Sequence, residues 1–110
     1  MKIFFLLVAG SALIASCTMS KSAAPSQARV DSVADKFPGY TLADMTKGKE
    51  LYVSNCQTCH QLAKPDSETE SEWNHIVPEM VQKTNRKAGK DVLDAEGEKL
   101  ILRYLITMSK

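Results

Sequence analysis

Cys56-Gln57-Thr58-Cys59-His60 is the stretch on which the reading of this chain turns. It spells C-x-x-C-H, the attachment pattern for c-type haem. Two thiols three positions apart can each add to one vinyl group on the same edge of a porphyrin, forming thioether bonds. The next residue, His60, is then held beneath the ring, where an imidazole nitrogen can ligate the iron. A bare C-x-x-C has other uses. A thioredoxin-like redox pair wants a strand–helix–strand context, which the sequence pattern does not show. A closed zinc site wants four ligands, and the chain offers this Cys pair with His60 and His75. A Cys56–Cys59 disulfide would close a short, strained loop for little entropic gain.

Upstream of the motif, Leu42 to Asn55 reads as a helix that runs straight into Cys56. Asp44 is its expected N-cap, and Met45, Gly48, Leu51, Tyr52 and Asn55 fall at helical spacing on one side. Glycine inside a helix costs about 1 kcal/mol relative to Ala, so Gly48 asks for a reason. Close approach of another helix supplies one. Downstream, a loop around Lys64-Pro65-Asp66 precedes two overlapping capping boxes, Ser67-x-x-Glu70 and Thr69-x-x-Glu72. A second helix therefore starts near there, carrying Trp73, Ile76 and Val77. Pro78 is expected to kink it or start a new turn. Trp73, Val77 and Met80 are spaced i, i+4, i+7 and share a face. Asp94 caps the last helix, whose apolar stripe is Leu100, Ile101, Tyr104, Leu105 and Met108. No strand alternation, internal repeat or Gly-rich phosphate loop is present.

Taken together, these residues resemble a class I cytochrome c in a minimal, single-haem bacterial form, over about Leu42 to Met108. In that family the first helix carries a Gly and an aromatic four residues apart just before the haem motif, matched by Gly48 and Tyr52. The last helix crosses the first and offers an aliphatic and an aromatic three apart, matched by Ile101 and Tyr104. The resemblance implies an all-α fold of three to four short helices packed around one covalently attached haem c. It implies Cys56 and Cys59 as the attachment residues and His60 as the proximal iron ligand. Met80 is the expected distal ligand, by its place after a Pro-made bend and by the Trp-to-Met spacing of short bacterial cytochromes. His75 is the second choice, and an open site the third. Met19 lies in the expected tether, Met45 precedes the motif, and Met108 has the ordinary packing role of Met. Where the family often has Gly-Pro-x-Leu after the His, this chain has Gln61-Leu62-Ala63-Lys64-Pro65.

The N-terminus sets the compartment. Met1-Lys2, then Ile3-Phe4-Phe5-Leu6-Leu7-Val8-Ala9, gives a charged start and an apolar h-region too short to span a bilayer. It ends Leu13-Ile14-Ala15-Ser16-Cys17, which resembles the bacterial lipobox. Residues 1–16 are thus expected as a lipoprotein signal peptide, with Cys17 the lipid-attachment site. Residues 17–40, rich in Ser and Ala, are expected as a flexible tether, and 41–110 as the cytochrome c domain. Val30, Val33 and Phe37 allow a short amphipathic turn within the tether. Thr18 stands where inner-membrane retention signals of many Gram-negative lipoproteins have Asp. The expected location is therefore the cell envelope, on the periplasmic side of the outer membrane rather than the inner. The cysteine arithmetic also closes: one Cys takes lipid and two take haem.

Composition narrows the function classes. With 14 basic and 13 acidic residues, nothing points to nucleic acid. The acidic run Asp66, Glu68, Glu70, Glu72 and the basic run Lys83, Arg86, Lys87, Lys90 read as solvated faces. The folded part is small enough for a plain core to be marginal, so a covalent haem would act as a staple. No residues read as a general acid, base or nucleophile. The expectation is a membrane-anchored electron carrier, not an enzyme, exchanging single electrons with other redox proteins of a bacterial respiratory chain. The main alternative is a haem c domain with an open distal site, acting in gas binding or peroxide turnover.

Overall fold

The structure is a computed structural model that describes residues 24–56 and 62–110. Its regular elements are α1 (Gln27–Ser32), α2 (Leu42–Cys56), α3 (Glu70–Ala88) and α4 (Ala95–Met108), with a short 3-10 turn at Pro65–Ser67. No strand occurs among the described residues, so the all-α class holds there.

The principal pairing is α2 against α4, and α3 packs on α4 from another side. Gly48 is where α2 and α4 meet. A Cβ placed on it would stand 2.2 Å from the Leu100 carbonyl oxygen and 3.0 Å from Tyr104 Cβ. The backbone of one helix therefore lies against the backbone of the other, and only hydrogen fits between. Around that crossing Met45, Tyr52, Trp73, Val77, Ile101, Tyr104, Leu105 and Met108 are all 2 % exposed or less.

Each helix start has a visible hydrogen-bond cause. In α2 the cap is Thr41, not Asp44: Asp44 N–H donates to Thr41 Oγ1 (3.1 Å), and Thr41 N–H donates to Asp44 Oδ2 (3.1 Å). Asp44 is the reciprocal partner one turn in, which is the capping-box arrangement. In α3 the box is Thr69 with Glu72. Ser67 is not the cap; its hydroxyl donates to the Lys64 carbonyl within the 3-10 turn. Asp94 caps α4 as expected, accepting from Gly97 N–H at 2.8 Å.

α3 runs unbroken through Pro78. The carbonyl that the missing N–H abandons belongs to Asn74, an exposed residue, where water can replace the bond. Glu70 and Glu72 at its start and Arg86 and Lys87 at its end complement the helix dipole. The acidic and basic runs thus sit at opposite ends of α3. The helix closes at Gly89 (φ 70°), where Gly89 N–H donates to the Arg86 carbonyl and Lys90 N–H to that of Asn85. The Asn85 side chain then bonds the Leu93 N–H and carbonyl, turning the chain into α4.

The expected tether differs most from expectation. Residues 27–40 are packed, not free: Val30 is 3 % exposed and Tyr40 7 %, with Val33 and Phe37 against the core. The Arg103 guanidinium lies 5.0 Å from the centre of the Phe37 ring. The Tyr40 hydroxyl is buried beside Thr107 without a well-formed hydrogen bond, and burial pushes its phenol up to about 12. This segment packs against α4, with Tyr40 beside the buried Thr107 and Phe37 beside Arg103. The packed body therefore begins near Ser26, the N-cap of α1, well before residue 41.

Replacing Gly48 by Ala tests the crossing. Helix propensity alone would favour Ala by about 1 kcal/mol. The clash with the Leu100 carbonyl should outweigh it, for a net loss of about 1–3 kcal/mol. Thermal unfolding followed by circular dichroism should show a midpoint lowered by roughly 5–20 °C; an unchanged or raised midpoint contradicts the packing described.

Candidate functional site

Cys56 is the last residue of α2, two turns beyond Gly48, or about 12 Å along the axis at 1.5 Å per residue. Its position is thus set by the α2–α4 crossing. The thiol is half-buried and free. Burial pushes it up to about 11. The C-terminal end of a helix also carries partial negative charge, which opposes a thiolate there. Near neutral pH this sulfur stays protonated.

The chain comes back to α2 almost at once. Tyr52, one turn before Cys56, donates its hydroxyl hydrogen to the Ala63 carbonyl at 2.5 Å. Trp73, in the first turns of α3, donates its indole N–H to the Pro65 carbonyl at 2.8 Å. The two rings meet edge to face, with centroids 6.4 Å apart and planes at 80°. Tyr104 of α4 closes the cluster at 6.2 Å from Tyr52. Burial, with the Cys56 and Tyr104 groups nearby, pushes the Tyr52 phenol up to about 12, so it keeps the hydrogen that it donates to Ala63.

Cys59 and His60 lie outside the described residues, as does Cys17. The candidate distal ligands are described. Met45 and Met108 are sealed in the core, 0 % and 2 % exposed. Met80 instead lies half-buried at the core margin, on the α3 face that carries Trp73 and Val77 inward. Cys56, Leu62 and Ile76 are likewise half-buried against the core. His75 is exposed on α3. Among the described residues no cluster of three or more His, Cys, Asp or Glu side chains gathers to hold a bare metal ion.

Two contributors were not legible as site residues beforehand. Tyr52 and Trp73 read as core aromatics by their spacing, and they are. Their polar atoms, however, bond the backbone of the segment just after the motif. The available signal is chemical: a buried Tyr or Trp must find a partner for its hydrogen, and unpaired loop carbonyls are the nearest acceptors.

No family model, curated protein or solved structure matches this chain.

The state of the Cys56 sulfur can be measured directly. In a chain with Cys17→Ser and Cys59→Ser, made without haem supply, iodoacetamide should alkylate Cys56 with an apparent pKa near 11. Labelling should therefore be slow at pH 7 and rise steeply above pH 9. An apparent pKa below 8 would contradict the burial described.

Proposed function

We propose that this chain is a lipid-anchored haem c protein that carries single electrons. The reading is carried by the C-x-x-C-H spacing in the sequence, and it is supported by its first cysteine, Cys56, standing half-buried as the last residue of a packed helix. A thiol built for disulfide exchange needs a lowered pKa, typically from a helix N-terminus or a neighbouring cation. Cys56 has the opposite surroundings. They suit a sulfur whose S–H adds once across a vinyl group and then stays as an inert thioether.

The residues fit a haem by the chemistry of the set. Cys56 and Cys59 would hold its edge, and His60 would hold the iron from the proximal side. Met80 offers a thioether from a half-buried position, where little of the side chain is lost to solvent. Leu62 and Ile76, half-buried at the core margin, offer apolar surface for a flat ring. The group supplies an iron that cycles between ferrous and ferric, and Met ligation with burial favours the ferrous form. The protein's part is to keep two axial groups fixed while the charge changes, so that little rearrangement opposes transfer. Carrying electrons in this way needs no acid, base or nucleophile from the chain.

The anchor reading places the carrier on the periplasmic side of the bacterial envelope, at the outer membrane, with lipid on Cys17. No helix among the described residues is long and apolar enough to cross a membrane. Nine positions separate Cys17 from Ser26, where packing starts. Fully extended they reach at most about 30 Å. A carrier held that closely exchanges electrons with respiratory-chain proteins lying at the same membrane surface.

Met80→Ala tests the ligand set. The oxidised protein should lose its sulfur-to-iron charge-transfer band at the red end of the spectrum, and the ferrous variant should take up carbon monoxide that the parent resists. An unchanged band would place the ligand elsewhere. Rapid carbon monoxide uptake by the parent would favour the open-site reading, in gas binding or peroxide turnover.

A further inference from the structure

Residues 26–40 are packed on the helices, yet their backbone hydrogen bonds keep to themselves. Among the described residues these bonds run within the stretch, from Arg29 and Val30 N–H onto the Ser26 carbonyl at one end to Tyr40 N–H onto that of Phe37 at the other. The next element starts afresh, with Thr41 and Asp44 capping α2. The ties across to the body are side chains. Val30, Val33 and Phe37 lie against the core, the Arg103 guanidinium lies over the Phe37 ring, and Lys36 pairs with Glu70. That ion pair is open to water on both sides, so it holds weakly. The Tyr40 ring meets Phe37 edge-on at 5.7 Å, which makes it part of the same stretch. Its hydroxyl, buried beside Thr107 without a well-formed hydrogen bond, opposes docking, because water would satisfy it once the stretch lifts. Lifting residues 26–40 therefore breaks no backbone hydrogen bond to α2, α3 or α4, the condition for a segment that opens ahead of the rest.

Resting on the lipid-anchor reading above, we propose that residues 26–40 are a strap that lifts from α4 as one unit while α2, α3 and α4 stay packed, and that lifting lengthens the leash of the carrier. With the strap closed, the leash runs from Cys17 to Ser26 and reaches at most about 30 Å. With it open, packing starts at Thr41, and the longer leash from Cys17 reaches about 80 Å at full extension. A six-residue helix does not persist without packing, so α1 adds length to the open leash. Closed, the chain serves redox proteins at its own membrane surface; open, it reaches proteins that stand well away from it.

The test is amide hydrogen exchange, read by mass spectrometry, on the full mature chain made where lipid and haem are attached. Parent, Tyr40→Phe and Lys36→Gln are compared. In the parent, the bonded amides of 29–40 should exchange together and at least about tenfold faster than those of α2 and α4. Tyr40→Phe removes the orphaned hydroxyl and should slow the strap about tenfold. Lys36→Gln should quicken it several-fold, and neither change should move the α2 and α4 rates. Strap amides as protected as those of α4, or graded from Ser26 inward as in simple fraying, would overturn the proposal. So would strap rates that neither substitution moves, or variants that shift strap and helices by one common factor. The mass of the mature chain separates the two readings: without lipid on Cys17 the anchor falls and the leash with it, whereas a lipidated chain with uniform protection sinks the strap alone.

Discussion

The backbone of α2 touches the backbone of α4 at Gly48, and most of the architecture follows from that contact. A hydrogen in place of a side chain lets the Leu100 carbonyl come close enough to forbid even a methyl group. The crossing brings Tyr52 against Tyr104 and seals Met45 and Ile101. It also fixes where α2 ends, and Cys56 is that end. A residue that carries no chemistry thus sets the position of the one described residue that begins the motif.

Much of this was legible because it depends on local hydrogen-bond chemistry and helical spacing. Asp94 and Thr69 announce helix starts, since each side chain can satisfy an N–H the helix leaves over. Gly48 announces a close approach because its cost inside a helix needs a return. The α2 cap was displaced by one turn for a physical reason: Thr41 and Asp44 bond each other reciprocally, and both are good cap residues. Pro78 was expected to kink α3 or start a new turn; no new turn starts, because the helix continues through it and its lost hydrogen bond falls on the exposed side, where water makes the loss tolerable.

The packed segment ahead of α2 was not legible, and the reason lies in α4. A stripe read along one helix assumes one buried face. The end of α4 is covered on several sides, so Ile106 and Thr107 are buried although they fall off the stripe. The residues that cover it, Val30, Phe37 and Tyr40 among them, are spread thinly through a polar, Ser- and Ala-rich stretch. Only the docked arrangement reveals that they have something to cover. The partners of Tyr52 and Trp73 were hidden likewise, because a side chain bonding a loop carbonyl leaves no trace in periodicity.

The proposal joins two observations: the C-x-x-C-H spacing in the sequence, and the half-buried position of its first sulfur at the end of α2, where burial pushes the thiol up. The central claim is that a haem is joined covalently to Cys56 and Cys59. Its most direct test is the mass of the denatured mature protein, made where haem attachment operates, with and without thiol alkylation. The account predicts a chain heavier than its polypeptide and lipid by one haem, with neither Cys56 nor Cys59 open to alkylation. A chain of polypeptide-plus-lipid mass, colourless and alkylated at both positions, would contradict it.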